Sequence, residues 1–126
     1  MTAAKELTLQ EWLSEYEDEI TQLVEFSKAA LPDDAGGLHN ELSRAQQDIG
    51  RAGAFLADLE AYVTQAEAAA TIDIRKTHGE LTAGERRAMV KASIASVVRY
   101  RDGLKTVLHA LRGKSFALMN LGRSQH

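Results

Sequence analysis

The chain has 126 residues, one proline, seven aromatic residues and no cysteine. That length is one domain's worth of chain, and the composition excludes a β-sandwich or barrel, a disulfide framework, a thiol nucleophile and a thiolate metal site. The formal net charge of −3 hides a steep division: nine acids face two bases over residues 1–37, seven face four over 38–84, and two face nine over 85–126.

A first, acidic helix is expected over about 8–31. Thr8-Leu9-Gln10-Glu11 fits a capping box, in which the hydroxyl takes a backbone N–H and Glu11 reaches back. Leu9, Trp12, Leu13, Tyr16, Ile20, Leu23, Val24 and Leu31 then recur on a helical period of three to four residues, which places an apolar stripe on one face. Pro32 ends the pattern, and Asp33–Gly37 reads as a loop.

The second helix is expected over about 38–77. Leu38, Leu42, Ala45, Ile49, Ala52, Leu56, Leu59, Val63, Ala66 and Ala70 alternate in steps of four and three, the spacing of a coiled-coil seam. Leu42, Ile49, Leu56, Leu59 and Val63 are therefore the expected contacts of a homo-oligomer. Gly50 and Gly53 weaken the helix locally, so a bend or a tight contact is expected there. After a turn at 78–81, Thr82-Ala83-Gly84-Glu85 forms a second capping box and opens a third, basic helix over about 83–121. Val90, Ile94, Val97, Leu104, Leu108, Leu111 and Leu118 line its seam, with Arg101 and Ser115 at seam positions that should be apolar. The expected fold is all-α, a long helical hairpin or coiled coil with a shorter acidic helix, in a single domain spanning 1–126. The N-terminal stretch is acid-rich with no apolar run, so neither a secretory signal nor a membrane span is expected. A soluble cytoplasmic protein follows.

Catalytic chemistry finds little support. Glu11, Glu15, Asp18 and Glu19 share a helix face, but a metal centre would need matching ligands on a facing helix, so this face reads as solvated. His39, His78, His109 and His126 are scattered without a paired carboxylate or metal-ligand spacing. There is no phosphate-cradling glycine loop and no nucleophile elbow. No enzyme activity, cofactor or metal is expected.

The remaining signal is the basic run. Arg99, Arg101, Lys105, Arg112 and Lys114, with Arg86, Arg87, Lys91 and Arg123, lie along the third helix with Tyr100 and Phe116 among them. Cations that track a phosphate backbone, with aromatics for base stacking, suit sequence-tolerant binding of single-stranded nucleic acid. The same residues admit an intramolecular reading, with Phe116 in the core and the cations balancing the acidic helix.

The run Val90-Lys91-Ala92-Ser93-Ile94-Ala95-Ser96-Val97-Val98-Arg99-Tyr100, followed by Leu104 and Ala110-Leu111-Arg112-Gly113-Lys114-Ser115-Phe116-Ala117-Leu118, resembles the phage recombination mediator family UvsY. The likeness spans about 55–119 and is specific over 90–118; the acidic helix has no counterpart in it. It implies an all-helical, ring-forming, non-enzymatic protein that binds single-stranded DNA. Such a protein would help load a RecA-like recombinase onto strands covered by single-strand-binding protein. It also implies that Arg75 and Lys76, where the long helix meets the loop, contribute to DNA binding. The alternative is a helical protein–protein interaction module, or a phage structural or adaptor component, assembled through the same coiled coil.

Overall fold

A computed structural model describes residues 8–124. Its described residues form four helices and no strand: α1 (Leu9–Lys28), α2 (Ala35–Thr77), α3 (Ala83–Ser93) and α4 (Ala95–Ser124). The fold class is the expected all-α one. No helix among the described residues is long and apolar enough to cross a membrane. His126 lies outside the described residues.

The helix boundaries follow local chemistry. The Thr8 hydroxyl accepts from the Glu11 N–H at 3.2 Å and caps α1. α1 ends at Lys28, three residues short of its expected end, and Ala29 turns extended with its N–H on the Phe26 carbonyl. α2 begins three residues earlier than expected. Asp34 caps it: its side chain accepts from the Gly37 N–H and its carbonyl from the Leu38 N–H. The Gly36-Gly37 pair is thereby drawn into the first helical turn. A Cβ on Gly37 would come within 3.1 Å of both Asp34 Oδ1 and Pro32 Cβ, which accounts for glycine there. At Gly50 and Gly53 a Cβ would meet nothing within 4 Å, and α2 runs through both without interruption. The tight contact expected at those glycines is absent from the described residues.

The expected third helix is broken at Ile94, whose backbone (φ −104°, ψ 8°) leaves the helical region and separates α3 from α4. Its N–H still reaches the Val90 carbonyl at 3.2 Å, and its own carbonyl accepts from Val98 at 3.1 Å. The apolar spacing therefore continues across a one-residue interruption, which periodicity alone does not register.

At the start of α3 the full capping box forms. Thr82 Oγ1 accepts from the Glu85 N–H, while the Thr82 N–H and hydroxyl both donate to Glu85 Oε1 at 3.2 and 2.9 Å. The hydroxyl bond, then the backbone bond, holds the Glu85 carboxyl below its ordinary pKa. A carboxyl depressed in the folded state adds stability that is complete above its unfolded pKa and is lost as pH falls through the folded one. The stability difference between the wild type and Glu85→Gln, read by urea melts, is therefore expected at neutral pH and should vanish in acid.

The helices thread two compact units: one holds residues up to Gly53 and from Thr106 onwards, the other Ala54–Lys105. In the first, Trp12, Leu23 and Phe26 of α1 are buried, as are Leu38, Ala45 and Ala52 of α2 and Leu108, Leu111 and Leu118 of α4. In the second the core is Phe55, Leu59, Val63 and Ile74 of α2 with Val90, Ile94, Val97 and Leu104.

The seam of α2 divides accordingly. Leu59 and Val63 are buried inside the second unit, so those two expected oligomer contacts are corrected to core positions. Leu42, Ile49 and Leu56 stay half-buried, while Asp48 and Phe55 are buried instead. Asp48 is sheltered by Arg44, one turn away at 3.6 Å, whose guanidinium lies 4.3 Å from the centre of the Phe26 ring.

Candidate nucleic-acid interface

The second unit carries a groove of about 660 Å³. α2 contributes Val63, Glu67, Thr71 and Arg75 to its lining; α3, Ile94 and the start of α4 contribute the rest. The chain reverses through residues 78–82, where the Arg86 guanidinium donates to the carbonyls of Gly79 and Leu81. That contact ties the turn to α3 and places Arg86 at the groove.

Six cations line this groove: Arg75 from α2, Arg86, Arg87 and Lys91 from α3, and Arg99 and Arg101 from α4. Against them stand two acids, Glu67 and Asp102. Arg101 meets its neighbour Asp102 at 3.1 Å through both Nε and Nη2. Arg75, Arg87, Lys91 and Arg99 are exposed and form no ion pair among the described residues. Cations converging on a concave surface reinforce one another's field and attract a polyanion. Val63, Val90, Ile94, Ala95 and Val98 also line the groove, the first three of them buried core residues.

The expected site residues separate into three groups. Arg75, Arg99 and Arg101 come together in the groove. Lys76 and Lys105 are exposed in the same unit without lining it. Arg112, Lys114 and Phe116 belong to the first unit, where Arg112 is exposed and Phe116 is 62% exposed. The core reading of Phe116 is thereby corrected.

Lys114 is a correction of the opposite kind. It is buried; its ammonium donates to the Phe26 carbonyl at 2.7 Å and the Ala29 carbonyl at 3.3 Å, and sits 3.8 Å from the centre of the Phe26 ring. Glu41 Oε2 lies 3.7 Å away. Lys114 thus caps the C-terminus of α1, where a cation and unpaired carbonyls attract each other. A side chain buried this way does not present its ammonium to a phosphate in solvent.

Arg86, Arg87 and Lys91 belong to the basic run but not to the expected site. Their i, i+1 and i+5 spacing, directly after a capping box, places all three in one short helix, and the reversal at 78–82 sets that helix beside Arg75. Among the described residues no three His, Asp or Glu side chains group as metal ligands would. Comparison of the chain with known protein families, curated proteins and solved structures finds no match.

Proposed function

We propose that this chain is a non-enzymatic, oligomeric protein that binds single-stranded DNA through the cationic groove of its second unit. One observation carries the reading: three helices bring six cations and two acids to a single groove, and four of the cations are both exposed and free of ion pairs among the described residues. The resemblance to UvsY extends it to a recombination mediator of phage origin that loads a RecA-like recombinase onto DNA covered by single-strand-binding protein in the cytoplasm. Arg75 is the residue at which the resemblance and the groove coincide. Oligomerisation rests on Leu42, Ile49 and Leu56, which recur every seven residues along α2 and stay half-buried.

A helical interaction protein is the second reading, favoured by Phe116 and, one turn on, Met119 at 38% exposure. Fluorescence anisotropy with labelled oligothymidine separates the two. The first reading expects binding at low salt that weakens along a log–log slope of about −0.7 per phosphate neutralised. Four unpaired cations each meeting one phosphate would give a slope of about −3. Absence of binding at low salt and micromolar protein would transfer the assignment to the protein-partner reading.

A further inference from the structure

We infer that the cationic groove has a second occupant, the acidic face of α1 from another copy of this chain, which single-stranded DNA must displace. This rests on the reading of the groove as a single-strand site and adds how that site is covered when no strand is bound. Within α1 six acids stand against one base, Lys28. Glu19 meets Arg51 at 3.1 Å. Glu11, Glu15, Glu17, Asp18 and Glu25 are exposed and form no ion pair among the described residues. Of these, Glu11, Glu15, Asp18 and Glu25 follow one another at intervals of four, three and seven, which sets them in a row along one side of the helix. Trp12, Leu23 and Phe26, which are buried, lie on a different side. Like charges in such a row repel, so the row gains from a cationic surface laid against it.

The groove matches this row in sign, accessibility and reach. Arg75, Arg87, Lys91 and Arg99 line it, exposed and without ion pairs among the described residues. From Glu11 to Glu25 the row runs about 21 Å, at about 1.5 Å per helical residue. Arg87 to Arg99 runs about 18 Å at the same rise, because Ile94 keeps its backbone bonds to Val90 and Val98 across the break. A second copy is the favoured partner because it brings this acidic face wherever the groove itself is present. Face and groove are different surfaces, so the contact is head-to-tail and separate from the α2 seam. An acidic row and a phosphate strand claim the same cations, and the two occupants therefore exclude each other. Exposed ion pairs contribute little singly and are screened by salt. The contact is a weak cover that DNA can remove.

The test mixes two variants of the intact chain at low salt. The acid variant, Glu15→Gln with Asp18→Asn and Glu25→Gln, keeps the groove. The groove variant, Arg75→Gln with Arg87→Gln, Lys91→Gln and Arg99→Gln, keeps the acidic row. Circular dichroism checks that both fold. Fluorescence anisotropy of the labelled groove variant is expected to rise when unlabelled acid variant is added. The rise should exceed that produced by unlabelled groove variant, which reads the α2 seam alone. Salt should remove the excess, and so should oligothymidine. At protein concentrations where half the grooves are covered, the acid variant should bind oligothymidine about twofold more tightly than the wild type, and at high dilution equally. No excess in the mixture, with oligothymidine still bound by the acid variant, overturns the second occupant and leaves the function standing. An excess that bound oligothymidine leaves in place overturns the shared site. Tighter binding by the acid variant at every dilution overturns the contact between copies, because a chain covering its own groove is unaffected by dilution. Failure of oligothymidine to bind either the wild type or the acid variant overturns the function, and with it the displacement, whatever the mixture shows.

Discussion

Lys114→Ala is expected to destabilise the protein by about 1–3 kcal/mol, the usual cost of leaving a buried hydrogen-bond acceptor without its donor. The substitution takes away the donor to the Phe26 and Ala29 carbonyls and the cation over the Phe26 ring. It also leaves Glu41 Oε2, a buried oxygen with no hydrogen bond of its own, without its ion-pair partner. Lys114→Met should recover part of the loss, because it restores the stem's packing but not the charge. Adding Glu41→Gln to Lys114→Met should recover more by removing the stranded carboxylate. Urea denaturation of the three variants reads these steps directly. A midpoint for Lys114→Ala within error of the wild type would mean that α1 does not depend on this contact.

The second large effect is on binding. Replacing Arg75 and Arg99 together with glutamate is expected to weaken oligothymidine binding about a hundredfold at low salt, since a charged hydrogen bond contributes about 1.5–3 kcal/mol and tenfold in affinity is about 1.4 kcal/mol. Both positions are exposed and without ion pairs among the described residues, so the fold should change by no more than about 0.5 kcal/mol. The two residues sit on different helices, and each single variant should carry part of the loss. An effect confined to one of them would shrink the site to one wall of the groove.

The elements legible in the sequence are those with a local cause. Thr8 and Thr82 cap helices because a hydroxyl three residues before a backbone N–H can close that turn unaided. The helical period of α2 is legible for the same reason, since the step of three and four is a property of one stretch of sequence. What that period does not contain is the identity of the neighbours. Leu42, Ile49 and Leu56 lie on one flank of the Leu38–Ala45–Ala52–Leu59 line, Asp48 and Phe55 on the other, and the second flank is the buried one. Arg44 beside Asp48 and over Phe26 gives that burial its physical basis, and no heptad count includes it.

The misassignment of Lys114 has a related origin. No acid lies near it along the chain, so in sequence it looks free for a ligand, but its partners are Phe26, Ala29 and Glu41, all more than seventy positions away. Arg86, Arg87 and Lys91 show the converse. Their clustering is visible in the sequence, but their proximity to Arg75 depends on the reversal at 78–82. Charge count locates the basic region; only folding sorts its residues into groove, cap and open surface.

On this reading the groove, rather than basic charge in general, engages a phosphate backbone. The most direct test is a pair of salt titrations of oligothymidine binding, comparing the wild type with the Arg75→Gln, Arg87→Gln, Lys91→Gln and Arg99→Gln quadruple variant. The steep slope of the wild type is expected to flatten by about 0.7 for each phosphate that the variant no longer neutralises, with Lys105 and Arg112 unable to restore it. A quadruple variant that binds with the wild-type affinity and slope would contradict a groove-specific site.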